Sequence, residues 1–504
     1  MNYTEKIFKG SALGLIMIAI GTLVGYVIRL YLSRTMSVAD FGLFYGVLAF
    51  TGIFSVFFEI GLKEGLIKYI PAFRVDNDNN KVKSIVSFVL LVHILLASIL
   101  IIIFVFLSDY IAVAYFHNTS AAIVLKIIGI SGALFIFIRD ATSIFSGLGR
   151  VKMLSYVSPF NSIAFLVFIL LASVSLTGVS YAYLLSVVIT IAVFYAIIFR
   201  MPFFTKGKQN TDKEMIKQLM FFSIPLFMVG FLDSLTSQMD TLVLTYFRSL
   251  EEVGYYQVAL PTSRLLLVFY SAIVLVIFPI FSEMWAKKDK NGISSTMSMI
   301  LKYMLIVILP FVMLAIAFPN EIIRMLFGVK YLPAAPALQI LSFSVVFLTL
   351  NSVMSILFVS MGKIKLYAKI MVFVFIANLA MNIALVPSFG IIGAAVATTL
   401  SLFFAFLVYL YFVEKEVRIS FKLTDFCKIV LLSLAVLASI TITKTVLDLN
   451  PWVEMAISLA VSSILYLFLL VFSRTITKKD IDLLSRANVW VPDWLKNLVS
   501  KIVR

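Results

Sequence analysis

Runs of about twenty predominantly apolar residues, the length of helix that crosses a bilayer, follow one another from one end of this chain to the other. Nothing else in the sequence narrows its fold as far. They lie near 11–32, 41–60, 84–107, 121–145, 154–176, 179–199, 219–245, 254–282, 299–318, 335–359, 366–386, 391–413, 424–446 and 452–473. The chain is 62% hydrophobic and 13% charged, with a mean hydropathy of +1.08, against about 25% charged residues in a soluble domain. A water-soluble fold could not hide that much apolar surface. The expected class is an all-α membrane protein with about 14 transmembrane helices.

A formal net charge of +16 suggests nucleic acid until the basic residues are placed. With the N-terminus inside, alternate segments hold 32 of the 41 Lys and Arg, while the other loops hold five: Arg34, Arg248, Arg324, Lys330 and Lys444. This is the positive-inside pattern, and it puts the protein in the cytoplasmic or plasma membrane with both termini cytoplasmic. Nucleic acid is not a partner. The first run is too long for a signal peptide and lacks a small-residue cleavage site. Cys427 is the only cysteine and His93 and His117 the only histidines, so no disulfide, metal site or cofactor is expected. No loop is long enough for an extramembrane catalytic domain, and the chain is not expected to be an enzyme.

An internal repeat organises the spans. Leu30, Leu32, Ser33, Ser37, Val38, Asp40, Gly42 and Phe44 are matched without a gap by Leu242, Leu244, Thr245, Ser249, Leu250, Glu252, Gly254 and Tyr256, an offset of 212. Leu148 to Met153 is matched by Met361 to Leu366 at an offset one residue larger. Two matches at nearly one offset indicate a duplication. Six spans is an even number, so the copies enter the membrane in the same direction as two parallel six-helix lobes. The expected organisation is a lobe at 1–200, a cytoplasmic linker at 201–218, a second lobe at 219–413, an added C-terminal helix pair, the thirteenth and fourteenth, at 414–477, and an interfacial tail at 478–504, where Asp493 is an N-cap and Trp494, Leu495, Leu498 and Ile502 share a face.

Charges inside the spans are the candidate functional residues. Arg29, Arg139, Asp140, Asp233, Asp240 and Arg264 would together cost on the order of 15–20 kcal/mol if they faced lipid, at about 2.5–3.5 kcal/mol each. They therefore face the protein interior or water, and either mark a polar pathway or pair with one another. The duplication offset places Arg29 and Asp240 one residue apart in register near the outer ends of spans one and seven, as a gate pair would be. Arg264 follows Pro261 by three residues, and a proline frees a carbonyl and kinks a helix; a cation at such a kink suits a phosphate. Asp233, midway along span seven, is the best placed carboxylate for a coupling proton or cation, with Asp240 and Asp140 in the same coupling or gate set. Arg139 and Asp140 point about 100° apart, so they do not simply neutralise each other. Lys126 and Glu59 lie near span ends, where each reads as an interface residue. Asn161, Gln238, Gln257, Asn351, Asn378 and Asn382 read mostly as helix bridges, and Gly10, Gly14, Gly21 and Gly25 as close packing in span one.

Gly42 through Leu48, the segment Ser223, Ile224, Pro225 and Leu226 continuing to Gln238 and Asp240, then Gly254, Tyr255, Tyr256 and Ala259, and finally Pro387, Gly390, Gly393, Ala394 and Ala397 together resemble the polysaccharide flippases, the Wzx-like branch of the multidrug/oligosaccharidyl-lipid/polysaccharide exporter superfamily. The likeness extends over all fourteen spans. It implies a V-shaped, two-lobed transporter that moves a polyprenyl-pyrophosphate-linked oligosaccharide to the outer leaflet by alternating access, for cell-surface polysaccharide biosynthesis. It implies basic cavity residues on the pyrophosphate, here Arg29, Arg264 and Arg139. The partners implied are the lipid-linked oligosaccharide, membrane lipids, H+ or Na+ as coupling ion, and other polysaccharide assembly proteins. A lipid II flippase or multidrug exporter of the same superfamily are the alternatives, and a membrane glycan polymerase or ligase is a more distant one.

Overall fold

A computed structural model describes residues 3–207, 213–418, 423–446, 450–473 and 475; the expected tail from Lys478 lies outside them. The described chain is helical throughout: α1 (Tyr3–Thr35), α2 (Val38–Phe58), α3 (Leu62–Val75), α4 (Asn79–Ala114), α5 (Ala121–Gly147), α6 (Val151–Leu171), α7 (Leu176–Phe199), α8 (Pro202–Lys206), α9 (Lys213–Phe247), α10 (Leu250–Arg264), α11 (Val268–Ala286), α12 (Lys290–Ala317), α13 (Pro319–Phe327), α14 (Ala335–Ser360), α15 (Ile364–Val417), α16 (Leu423–Val446) and α17 (Pro451–Phe472). Helices satisfy their own backbone in hydrocarbon, and only their ends need outside partners. Side chains supply these: Ser37 accepts from the Asp40 amide, Asp78 from those of Asn80 and Lys81, Ser175 from Gly178, Asp289 from Gly292 and Asn450 from Trp452.

Among the described residues, eleven helices are long and apolar enough to cross a membrane, so the chain is a multi-pass membrane protein. Each of the fourteen expected spans falls largely on helical residues, but not one to one. The 54-residue α15 breaks at Gly390, whose φ of 54° and ψ of −132° are not helical, and this one element covers the eleventh and twelfth spans. The eighth is not a continuous helix: α10 stops at Arg264, a single 3-10 turn occupies Leu265–Leu267, and α11 resumes. That break lies just after Pro261, where the sequence places a kink.

The duplication is visible in the helix boundaries. Helix α1 ends at Thr35 and α9 at Phe247, and α2 begins at Val38 and α10 at Leu250, all at the offset of 212. At 213, the ends of α5 and α14 and the starts of α6 and α15 correspond. Between them Gly149 and Gly362 share positive φ, 65° and 71°. The Arg150 amide donates to the Phe145 carbonyl as Lys363 does to Phe358, the Schellman closure of both helices. The copies also touch. A Cβ on Gly42 would lie 1.9 Å from the Leu250 carbonyl oxygen, and one on Gly254 would lie 2.5 Å from that of Val38. Each glycine thus packs on the residue matching the one that packs on its counterpart.

The molecule comprises two compact units, one of Met1–Val258, Leu326–Tyr331 and Ala368–Ala397, the other of Ala259–Met325, Leu332–Tyr367 and Thr398–Arg504. Helix α4 in the first unit shows how the spans pack. Val82, Val86, Val89, His93, Ala97, Leu100 and Phe104 form a buried stripe at helical spacing, while Leu91, Leu95, Ile102 and Phe106 on the other faces are exposed, the pattern of a helix between protein and lipid. Small residues on α5 admit its neighbours: a Cβ on Gly129 would strike the Phe104 side chain at 2.4 Å, and one on Gly147 the Ile70 Cβ at 2.8 Å. In α1, Gly14 and Gly21 lie against Ser155 and Ser158 of α6 at ordinary contact distance, whereas Gly25 faces open space.

Candidate functional site

Pro261 has no amide hydrogen, so the carbonyl four residues earlier, that of Gln257, has no donor within α10. Arg29 fills the vacancy. Its Nη1 donates to the Gln257 carbonyl oxygen at 2.5 Å and to the Gln257 Oε1 at 3.1 Å, and the guanidinium lies 3.8 Å from the centre of the Tyr45 ring. The Gln257 amide donates onward to the Thr241 hydroxyl at 2.8 Å. Nη2 and Nε of Arg29 have no hydrogen-bond partner among the described residues, leaving donors for an anion.

Asp240 sits beside this chain but does not pair with Arg29. Its carboxylate, 2% exposed, accepts from the Tyr256 hydroxyl at 2.6 Å and from the Asn382 amide at 2.8 Å. The same Asn382 nitrogen reaches the Asn378 carbonyl at 3.0 Å and its Oδ1 at 3.3 Å. Asn382 Oδ1 is buried without a partner among the described residues. The Asp240 carboxylate and two oxygens of Asn378 therefore converge on one amide nitrogen of Asn382 in a dry position.

A second assembly joins α2, α3, α4 and α5. Glu59, at the end of α2 and 2% exposed, binds Arg139 through Oε1 and Lys63 through Oε2, the latter at 3.1 Å. His93, fully buried, places Nδ1 2.7 Å from Asp140 Oδ2 and Nε2 3.1 Å from the Glu59 carbonyl oxygen. Glu59 is thus no interface residue snorkelling to the surface; Arg139 draws it inward. The sequence reads Glu59 only as an interface residue and gives His93 no functional role. The available signal for His93 was its place among apolar residues within a span, where an ionisable side chain needs a partner as much as Asp140 does.

The remaining candidates are dispersed. Asp233 is exposed midway along α9, and Arg264 is half-buried at the end of α10 in the other compact unit. Arg264 forms no hydrogen bond or ion pair with a described residue. Lys126 pairs with Asp109 at 3.0 Å. Bridging roles appear for Asn161, which accepts from Thr190 at 3.1 Å, and for Asn351, whose amide donates to the Leu402 carbonyl at 2.9 Å.

Comparison with known proteins places this arrangement. The family model for polysaccharide biosynthesis proteins matches residues 7–285, and a second, MatE, matches residues 225–384. An uncharacterized membrane protein of Methanocaldococcus jannaschii is 32% identical over 89% of this chain and 92% of its own length. A Haloferax volcanii protein named "probable low-salt glycan biosynthesis flippase" is 25% identical over 46% of this chain and 49% of its own. Among solved structures, a lipid II flippase in an inward closed conformation superposes with a TM-score of 0.71, at 18% identity, over 91% of this chain and 99% of that one. That likeness is one of fold.

Proposed function

This chain belongs to the polysaccharide biosynthesis protein family, and from that footing we propose that it carries a polyprenyl-pyrophosphate-linked oligosaccharide across the cytoplasmic membrane by alternating access. The family match carries the reading. The fold alone does not choose, since a lipid II flippase shares it; a glycan-directed family and a relative named as a glycan biosynthesis flippase favour an oligosaccharide cargo. The activity is transport without covalent chemistry.

Physical chemistry supplies the division of labour. A charged, sugar-bearing headgroup does not cross hydrocarbon unaided, whereas its isoprenoid tail stays in the lipid. Arg29 and Arg264 are each assigned to the pyrophosphate, the first on its unused donors and the second on a guanidinium that no described residue engages. Arg139, engaged by Glu59, takes a secondary part. Asp240, among the amide oxygens of Asn378 and Asn382, is the best supported site for a coupling H+ or Na+, and Asp233, exposed at mid-helix, faces the water path rather than lipid. Both termini are cytoplasmic, and other polysaccharide assembly proteins deliver and receive the cargo.

Proteoliposomes containing a short-chain polyprenyl-diphosphate oligosaccharide, scored for access of an external glycosidase to the sugar, test this. Arg29→Ala combined with Arg264→Ala is expected to reduce translocation at least about tenfold, the loss of one charge-assisted contact. Wild-type rates in the double variant sink the site assignment, and translocation of lipid II in preference to the oligosaccharide lipid sinks the cargo.

A further inference from the structure

The His93 ring lies between two groups that both accept hydrogen bonds. On one side, 3.1 Å from Nε2, is the Glu59 carbonyl oxygen; on the other, 2.7 Å from Nδ1, is Asp140 Oδ2. A carbonyl has no proton to give, so Nε2 carries one. The contact with Asp140 needs another, held by nitrogen or oxygen. A neutral imidazole beside a carboxylate has only one proton for these two contacts, so the geometry calls for one more.

Charge leads to the same count. The groups around the pair are Glu59 just past α2, Lys63 from α3, Arg139 from α5 and the hydroxyl of Tyr195 from α7, which donates to the Phe137 carbonyl at 3.2 Å; Glu64 of α3 reaches only Lys63; α6 and α8 bring none to it among the described residues. Glu59 takes up both Arg139 and Lys63, and Glu64 lies 3.7 Å from the same Lys63, so among the described residues a proton on His93 supplies the cation paired with Asp140. Without it Asp140 would keep an uncompensated charge at 1% exposure, with Oδ1 buried and unpartnered among the described residues.

The site grips a joint. After Glu59 the chain turns through Ile60 and Gly61 at φ of 48° and 69° before α3 begins. A branched side chain at such a φ persists only when its surroundings hold it there. Glu59 is held by its carbonyl, through His93, and by its carboxylate, through Arg139 and Lys63. On the opposite side the joint presses on α9: a Cβ on Gly61 would lie 2.5 Å from the Ser223 carbonyl oxygen and 2.7 Å from the Phe227 Cβ.

We propose that His93 and Asp140 form a proton-binding site, occupied at neutral pH as an imidazolium–carboxylate pair, whose proton locks the α2–α3 joint against α9. Losing it removes one of the two contacts of the ring and charges the dry cluster, which loosens the Glu59 carbonyl and frees the joint. In the transport cycle this site is a second ion-responsive element, apart from Asp240, and only that use of it rests on the flippase reading.

With His117→Asn, His93 becomes the only histidine, and 15N-histidine labelling of the full-length protein in lipid nanodiscs reports its ring directly. Both ring nitrogens are expected to be protonated at pH 7, with a titration midpoint corresponding to proton binding at least about tenfold tighter than in the same protein carrying Asp140→Asn. Amide hydrogen exchange across residues 60–66 is expected to be faster in Asp140→Asn than in its parent at one pH. A neutral His93 at pH 7 overturns the site, and joint exchange indifferent to its protonation overturns the lock. Should Asp140→Asn fail to fold, the titration of the single-histidine protein, with exchange measured on either side of its midpoint, decides alone. Neither readout requires cargo movement, so failure of the flippase reading leaves both intact, while a neutral His93 leaves the flippase reading untouched.

Discussion

At the scale of single residues, sequence spacing reveals local partners and conceals distant ones. The vacancy that Arg29 fills is legible, because Pro261 removes the donor of Gln257 wherever that helix lies. The His93–Asp140 contact is not, because it joins residues 47 apart in sequence and depends on how α4 and α5 turn about their axes. Glu59→Gln tests the weight of the buried charges: it leaves Arg139 without its carboxylate, and the expected loss is on the order of 3 kcal/mol, read as a lower unfolding midpoint in detergent. Glu64 offers a pH test. Burial holds its carboxyl above the usual 4.5, outweighing the opposing pull of Lys63. A proton therefore binds more tightly to the folded than to the unfolded chain. Stability from this group is fullest below pH 4.5 and declines as pH rises through the raised value. Glu64→Gln should remove that part of the slope, so its melting temperature relative to the parent rises between pH 4.5 and 7.

At the scale of elements, helix ends and helix interruptions both leave a mark in the sequence. The offset of 212 locates the starts of α2 and α10 to the residue, because Ser37 with Asp40 and Ser249 with Glu252 are the same capping arrangement in two copies. The caps differ in strength: Ser37 Oγ accepts from the Asp40 amide at 3.1 Å, Ser249 Oγ from that of Glu252 at 3.4 Å. Ser37→Ala should cost about 1 kcal/mol and Ser249→Ala less, compared by thermal melts. Glycines in these elements separate by their surroundings. Gly42→Ala and Gly254→Ala have no room for the added carbon and should each destabilise by about 1–3 kcal/mol through overpacking. Gly25→Ala meets nothing within 4 Å and should stabilise α1 by about 0.5–1 kcal/mol. The break at Gly390 falls in the gap between 386 and 391 where the sequence separates the eleventh span from the twelfth, with Pro387 and Gly390 interrupting the apolar runs.

At the scale of the molecule, the recurring apolar runs gave the membrane class, and the repeat gave the matching helix boundaries. How the segments sort into compact units was beyond both: the first unit takes in α9 and residues 368–397, a matter of packing rather than of order along the chain. Topology has a direct test in Cys427, the sole cysteine and exposed. A membrane-impermeant maleimide should label it in inside-out vesicles and leave it untouched in intact cells; labelling from outside would reverse the proposed orientation. The glycines heading α2 and α10 carry one further consequence. Gly42 meets Leu250, and Gly254 meets Val38, so exchanging the two copies returns the same contact, as at the two-fold axis of a homodimer. A single polypeptide thus holds, covalently enclosed, a handshake that reads the same from either copy.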